Sequence, residues 1–83
     1  MSVVEVFITA DCFACVESRR IITELSATFP EITFELIDLT EQIFPEEVFA
    51  VPTYKINGTV KFIGNPHPHK LKTLLIAESV YTK

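Results

Sequence analysis

Eighty-three residues, about half of them apolar and only two of them glycine, are enough for one packed domain and exclude an intrinsically disordered chain. No run approaches the roughly 18 apolar residues of a membrane span, and two cysteines are too few for a secreted disulfide scaffold. The net charge of −4 is uneven, with ten acids against two arginines in residues 1–50 and five lysines against one glutamate in 51–83; this argues against nonspecific nucleic-acid binding, which needs one dominant basic patch.

Val3–Ile8 is apolar and β-branched and reads as a central strand buried on both faces, with Glu5 toward a strand end or a groove. Thr9-Ala10-Asp11 is the turn after it, and Asp11 is the expected N-cap of the next element. From Phe13 to about Thr28, Cys15, Ile22, Leu25 and Phe29 recur with helical spacing. Glu17, Arg19, Arg20 and Glu24 fall mostly on another face, so an amphipathic helix is predicted, stopped by Pro30.

Cys12-Phe13-Ala14-Cys15 therefore lies at a strand-to-helix junction. Residues three apart on a helix share a face, with Cβ atoms roughly 5–6 Å apart, near enough to close a disulfide. Unpaired N–H groups and the positive end of the helix dipole favour thiolate there, the form that attacks disulfides. Paired thiols behind a strand and opening a helix are a strong redox signal.

Ile32–Leu39 begins as an alternating strand and ends more apolar; strand, helix, strand at this spacing is a right-handed βαβ unit with parallel neighbours. Thr40–Phe49 contains Pro45-Glu46-Glu47, which reads as the start of a short helix. Val51-Pro52-Thr53 opens a third strand through Ile56, and Asn57-Gly58 is a two-residue hairpin signal before Thr59–Ile63. A loop at Gly64–Pro68 leads to a closing amphipathic helix from Lys70 to about Tyr81, carrying Leu71, Leu74, Leu75 and Ala77. The order β-α-β, short α, β-β-α predicts an α/β fold: a four-stranded mixed sheet flanked by helices, in one domain over 1–83. Phe29, Phe34, Phe44, Phe49 and Phe62 are assigned to core or partly buried positions, and Tyr54 to packing or the border of a groove.

CFAC after the first strand, VPT at the start of the third, and an NG hairpin running into FIG together resemble the thioredoxin/glutaredoxin superfamily in its short glutaredoxin-like form. The resemblance covers nearly the whole chain and implies a thioredoxin-like fold and thiol–disulfide oxidoreductase activity. It also implies that Val51–Pro52 is cis and packs against the cysteines, and that Val51, Pro52 and Thr53 receive an extended substrate through backbone groups. Phe13 stands where relatives place a variable, often bulky residue, and Asp11 is a charge beside Cys12; both are expected to modulate the site.

Departures are equally informative. Val6 stands where thioredoxins carry a buried acid, so that proton relay is not carried over, and Glu5 has the wrong phase to replace it. Gly64 is followed by Asn65-Pro66 instead of a second glycine and an acidic patch, leaving the glutathione pattern incomplete.

Structural zinc needs four ligands, and His67 and His69 would have to complete the cysteines; HPHK reads instead as a capped helix start. No metal and no cofactor are called for. The expected protein is a cytoplasmic monomer, since the sequence opens without the features of a secretory signal. Its expected partners are protein disulfides and a dithiol donor or reductase, with Cys12 attacking and Cys15 resolving. The other reading is a thioredoxin-fold sensor or binding module whose cysteines switch docking without rapid turnover.

Overall fold

Side chains alternate along β1 (Val3–Ile8), and the two faces they reach are unlike. Val4, Val6 and Ile8 are fully buried with Ile21, Ile22 and Leu25 of α1 (Phe13–Thr28) and with Leu71 and Leu75 of α2 (Pro68–Tyr81). On the other face Phe7 is buried, but Val3 and Glu5 are only half-buried. The strand is central, yet one of its faces lacks a helix, which corrects the expectation of burial on both. Glu5 accordingly sits mid-strand on the open face, in register with Glu35 and Lys55. The computed structural model describes residues 2–81, with side chains through residue 77.

The sheet has the order β2-β1-β3-β4, formed with β2 (Thr33–Asp38), β3 (Thr53–Ile56) and β4 (Thr59–Ile63). β1 and β2 are parallel, as the βαβ unit requires, and the other pairings are antiparallel. Asn57 and Gly58 take φ of 51° and 85°, the left-handed pair that matches a hairpin turn to strand twist. The Asn57 Oδ1 accepts the Val3 N–H at 2.9 Å, which fastens the turn to the start of β1.

α1 spans the predicted residues. Its exposed face carries Arg20, paired with Glu17 and Glu24, and it ends where the Phe29 N–H reaches Leu25 O at 2.8 Å, just before Pro30. α2 begins at Pro68, with the Leu71 N–H donating to His67 O at 3.1 Å, so His67 caps it and Pro68 takes the first helical position. Leu74 is half-buried and Ala77 is exposed, so only Leu71 and Leu75 of the expected apolar face are core.

The short helix expected in Thr40–Phe49 does not form. The Val48 N–H closes one turn onto Pro45 O at 2.9 Å, and the chain then stays irregular to Thr53. Pro45 supplies a helix start, but Val48 and Phe49 are poor continuers and Pro52 follows too soon for nucleation to be offset. The loop still covers part of the open face: Leu39 and Val48 bury Phe7, with Ile37 beside them. Lys55 Nζ lies 2.8 Å from Glu47 Oε1 and 5.7 Å above the Phe7 ring, stapling the loop to β3. Phe44 and Phe49 are exposed, contrary to the assignment to core, whereas Phe29, Phe34 and Phe62 pack against the main cluster.

Candidate functional site

α1 begins at a sulfur. Cys12 has extended backbone, and its Sγ accepts the Cys15 N–H at 3.1 Å, so Cys12 is the N-cap. A cap must reach the second or third N–H of the helix, and Asp11 lies one residue too early. Asp11 is exposed in the preceding turn, which corrects the expected cap. Cys12 and Cys15 form a disulfide with Cα atoms 5.2 Å apart. Cys12 reaches solvent, whereas Cys15 is 1% exposed.

The start of β3 borders this pair. Val51 O lies 3.9 Å from Cys12 Sγ, and the Val51–Pro52 peptide is cis. Pro52 O accepts the Gly64 N–H at 2.7 Å. Thr53 is fully buried between β1 and β4, with its Oγ1 donating to Ala50 O at 2.5 Å. Of the three residues expected to meet substrate, Val51 is half-buried with its carbonyl facing the sulfur, and Pro52 and Thr53 are buried. Phe13 is 96% exposed and Val16 is exposed one turn further along, so the helix start presents apolar groups next to Cys12.

Three polar residues meet beside the first turn of α1: Tyr54, packed as expected, with Ser18 and Asn65, for which no such role was expected. Ser18 and Tyr54 are both fully buried. Asn65 Oδ1 accepts hydrogen bonds from Ser18 Oγ at 2.6 Å and Tyr54 Oη at 2.8 Å, and its Nδ2 donates to Ala14 O at 2.8 Å. This joins β3 and the loop after β4 to the first turn of α1. Burial pushes the Tyr54 phenol above its ordinary value of 10, with the Ser18 hydroxyl opposing, so the phenol remains a donor. The available signal was Ser18, three residues after Cys15 and therefore on its buried face. The expected apolar face omitted it because it is polar.

Among the described residues, no group of three or more His, Cys, Asp or Glu comes together to hold a metal. His67 Nδ1 instead accepts the His69 N–H at 3.1 Å.

The thioredoxin of Methanocaldococcus jannaschii is 33% identical over 69 aligned positions, covering 76% of this chain and 79% of that protein. This chain belongs to the thioredoxin family. No family model matches the sequence. Among solved structures, oxidised thioredoxin O2 of Arabidopsis thaliana superposes with a TM-score of 0.72 at 27% identity, covering 93% of this chain and 74% of the other. Oxidised mitochondrial thioredoxin 3 of Saccharomyces cerevisiae gives 0.69 at 26% identity, covering 87% and 74%. Family membership together with the Cys12–Cys15 disulfide makes this protein a thiol–disulfide oxidoreductase. Its fold is thioredoxin-like, with the irregular stretch 40–52 covering part of one face of the sheet.

Proposed function

We propose that the protein reduces disulfides of other proteins, with Cys12 as the attacking thiol and Cys15 as the resolving one. The observation that carries this reading is the asymmetry of the pair: Cys12 is partly exposed at the helix start and receives an N–H, while Cys15 is buried one turn in. The Cys12 thiolate attacks one sulfur of a substrate disulfide, forming a mixed disulfide and releasing a substrate thiolate. Cys15, deprotonated, then attacks Cys12 Sγ; the Cys12–Cys15 bond forms and the second substrate thiol leaves. Two electrons and two protons pass to the substrate, and a dithiol donor or its reductase returns them.

Val51, whose carbonyl faces Cys12 Sγ, would meet an extended substrate backbone, and Phe13 and Val16 would meet its apolar side chains. A dithiol protein donor should serve better than glutathione, because the residue after Gly64 is Asn65, whose amide is engaged within the fold. A reducing cytoplasmic compartment suits a pair that must cycle. The test is Cys15→Ser, which should capture substrate as a stable Cys12 mixed disulfide, while Cys12→Ser captures none. Preferential alkylation of Cys15 in the reduced protein by a limiting reagent would overturn the assignment.

A further inference from the structure

The Ala14 carbonyl and the Cys15 N–H belong to one peptide unit. Asn65 Nδ2 donates to that carbonyl at 2.8 Å, and the N–H at the opposite end is shared between Cys12 Sγ and Cys12 O, each at 3.1 Å. We infer that Asn65 is a positioning residue for Cys12, holding and polarising the 14–15 peptide so that its N–H stabilises the Cys12 thiolate in the reduced protein. This rests on Cys12 as the attacking thiol.

The orientation of the Asn65 amide follows from its surroundings. Its oxygen faces two hydroxyls, on Ser18 and Tyr54, that can donate to it. Its nitrogen faces a carbonyl, which cannot donate; a flipped amide would set oxygen against oxygen. Ser18 has one hydroxyl hydrogen; of its contacts to Asn65 Oδ1 at 2.6 Å and Ala14 O at 3.3 Å, the shorter takes it. Ser18 and Tyr54 thus lock Asn65, and Asn65 locks the peptide. Ser18 and Tyr54 are buried and Asn65 is half-buried, so the two bonds to its oxygen are partly shielded from solvent, where bonds in a chain reinforce one another, while the bond to Ala14 O lies at the surface. Where other proteins place a cationic side chain near a reactive thiol, this site reaches Cys12 through a neutral chain of donors.

Charged groups on the surrounding elements include Asp11 in the turn before α1, Arg19 and the paired Glu17, Arg20 and Glu24 on α1, Lys55 of β3 paired with Glu47, Lys61 of β4, and Lys70 and Lys72 of α2, with the titratable His67 at its start. An Asn65 substitution leaves all of them in place, so their influence is common to parent and variant.

The experiment uses the full chain carrying Cys15→Ser, in which Cys12 is the one titrating thiol and the residue 15 N–H is kept. Thiolate absorbance and the pH profile of alkylation are compared with and without Asn65→Leu. A bond to a charged group is among the stronger ones, and chain polarisation strengthens it by roughly 10–30%. Below the midpoint, the thiolate-to-thiol ratio should therefore fall by about 1.3- to 5-fold, with the curve displaced to higher pH. Tyr54→Phe, which removes one hydroxyl from the lock and keeps the ring, should shift it the same way by less; this variant carries the test if Asn65→Leu does not fold. The backbone 1H resonance of residue 15 should move upfield in both. A superimposable titration curve in a folded variant, with lowered thermal stability alone, would overturn the inference and leave Asn65 a structural residue. Failure of the parent Cys15→Ser protein to attack disulfides would instead count against the proposed function.

Discussion

Because a sulfur caps α1, the residue proposed to attack substrate also holds the helix. In a Cys15→Ser background, Cys12→Ser keeps a good cap atom and should retain stability, whereas Cys12→Ala should lose about 0.5–2 kcal/mol, measured by urea unfolding. Equal stability of the two would mean that the contact at 3.1 Å between Cys15 N–H and Cys12 Sγ adds nothing to the fold. Asp11, displaced from the cap, is left with its charge alone. Asp11→Asn should change stability by less than about 0.5 kcal/mol and should let the Cys12 thiolate form at lower pH, since a neighbouring anion is removed. The attack rate near neutral pH should rise only modestly, because a less basic thiolate is a weaker nucleophile. Thiolate absorbance with disulfide-exchange kinetics checks both halves, and an unchanged titration would mean that Asp11 points away from the sulfur.

At the scale of elements, the hairpin gives the plainest test. Gly58 has φ of 85° and nothing within 4 Å of where a Cβ would stand. Gly58→Ala should therefore cost only the backbone penalty, about 1–2 kcal/mol, read as a lower urea midpoint without loss of the disulfide. Elements with strong local signals were legible in the sequence. The 3.6-residue period of Ile22 and Leu25 and the stop at Pro30 bound α1, and Asn57-Gly58 announced its turn because left-handed backbone favours those residues. The stretch Thr40–Phe49 was misread because Pro45-Glu46-Glu47 signals how a helix starts and says nothing about whether it can continue. The same limit hid the site's lower half. CFAC was visible as a motif, but Ser18, Tyr54 and Asn65 are far apart in sequence and meet only through the packing of α1 on the sheet. Thr53 was visible only as a motif position, and the two ladders that flank it and bury its side chain come from the sheet's pairing.

Over the whole molecule, the site lies beyond the carboxyl end of β1, between the helix after that strand and the loop that enters β3, a usual place for reactive groups on an open α/β sheet. Tyr54 ties these parts together, packed edge-on to Phe62 at 6.3 Å between ring centroids and bonded through Asn65 to α1. Burial raises its phenol above the ordinary value of 10. The sign comes from linkage: the folded state holds the proton after the unfolded chain has released it. Stability contributed by Tyr54 is thus fully present below pH 10 and is lost as pH rises through the higher folded value. The oxidised protein has no thiol to titrate, so its alkaline behaviour is a clean readout. Near neutral pH, Tyr54→Phe should be less stable than the parent by about 0.5–1.5 kcal/mol, the usual net value of a hydrogen bond. Above pH 10 the parent should decline more steeply, by at most about 1.4 kcal/mol per pH unit, so that the two curves converge. Groups common to both proteins cancel in the comparison. Urea midpoints collected from pH 8 to pH 11 would show the convergence; curves that stay parallel would mean that the phenol ionises freely in the folded state, and that Tyr54 is not a permanent donor to Asn65.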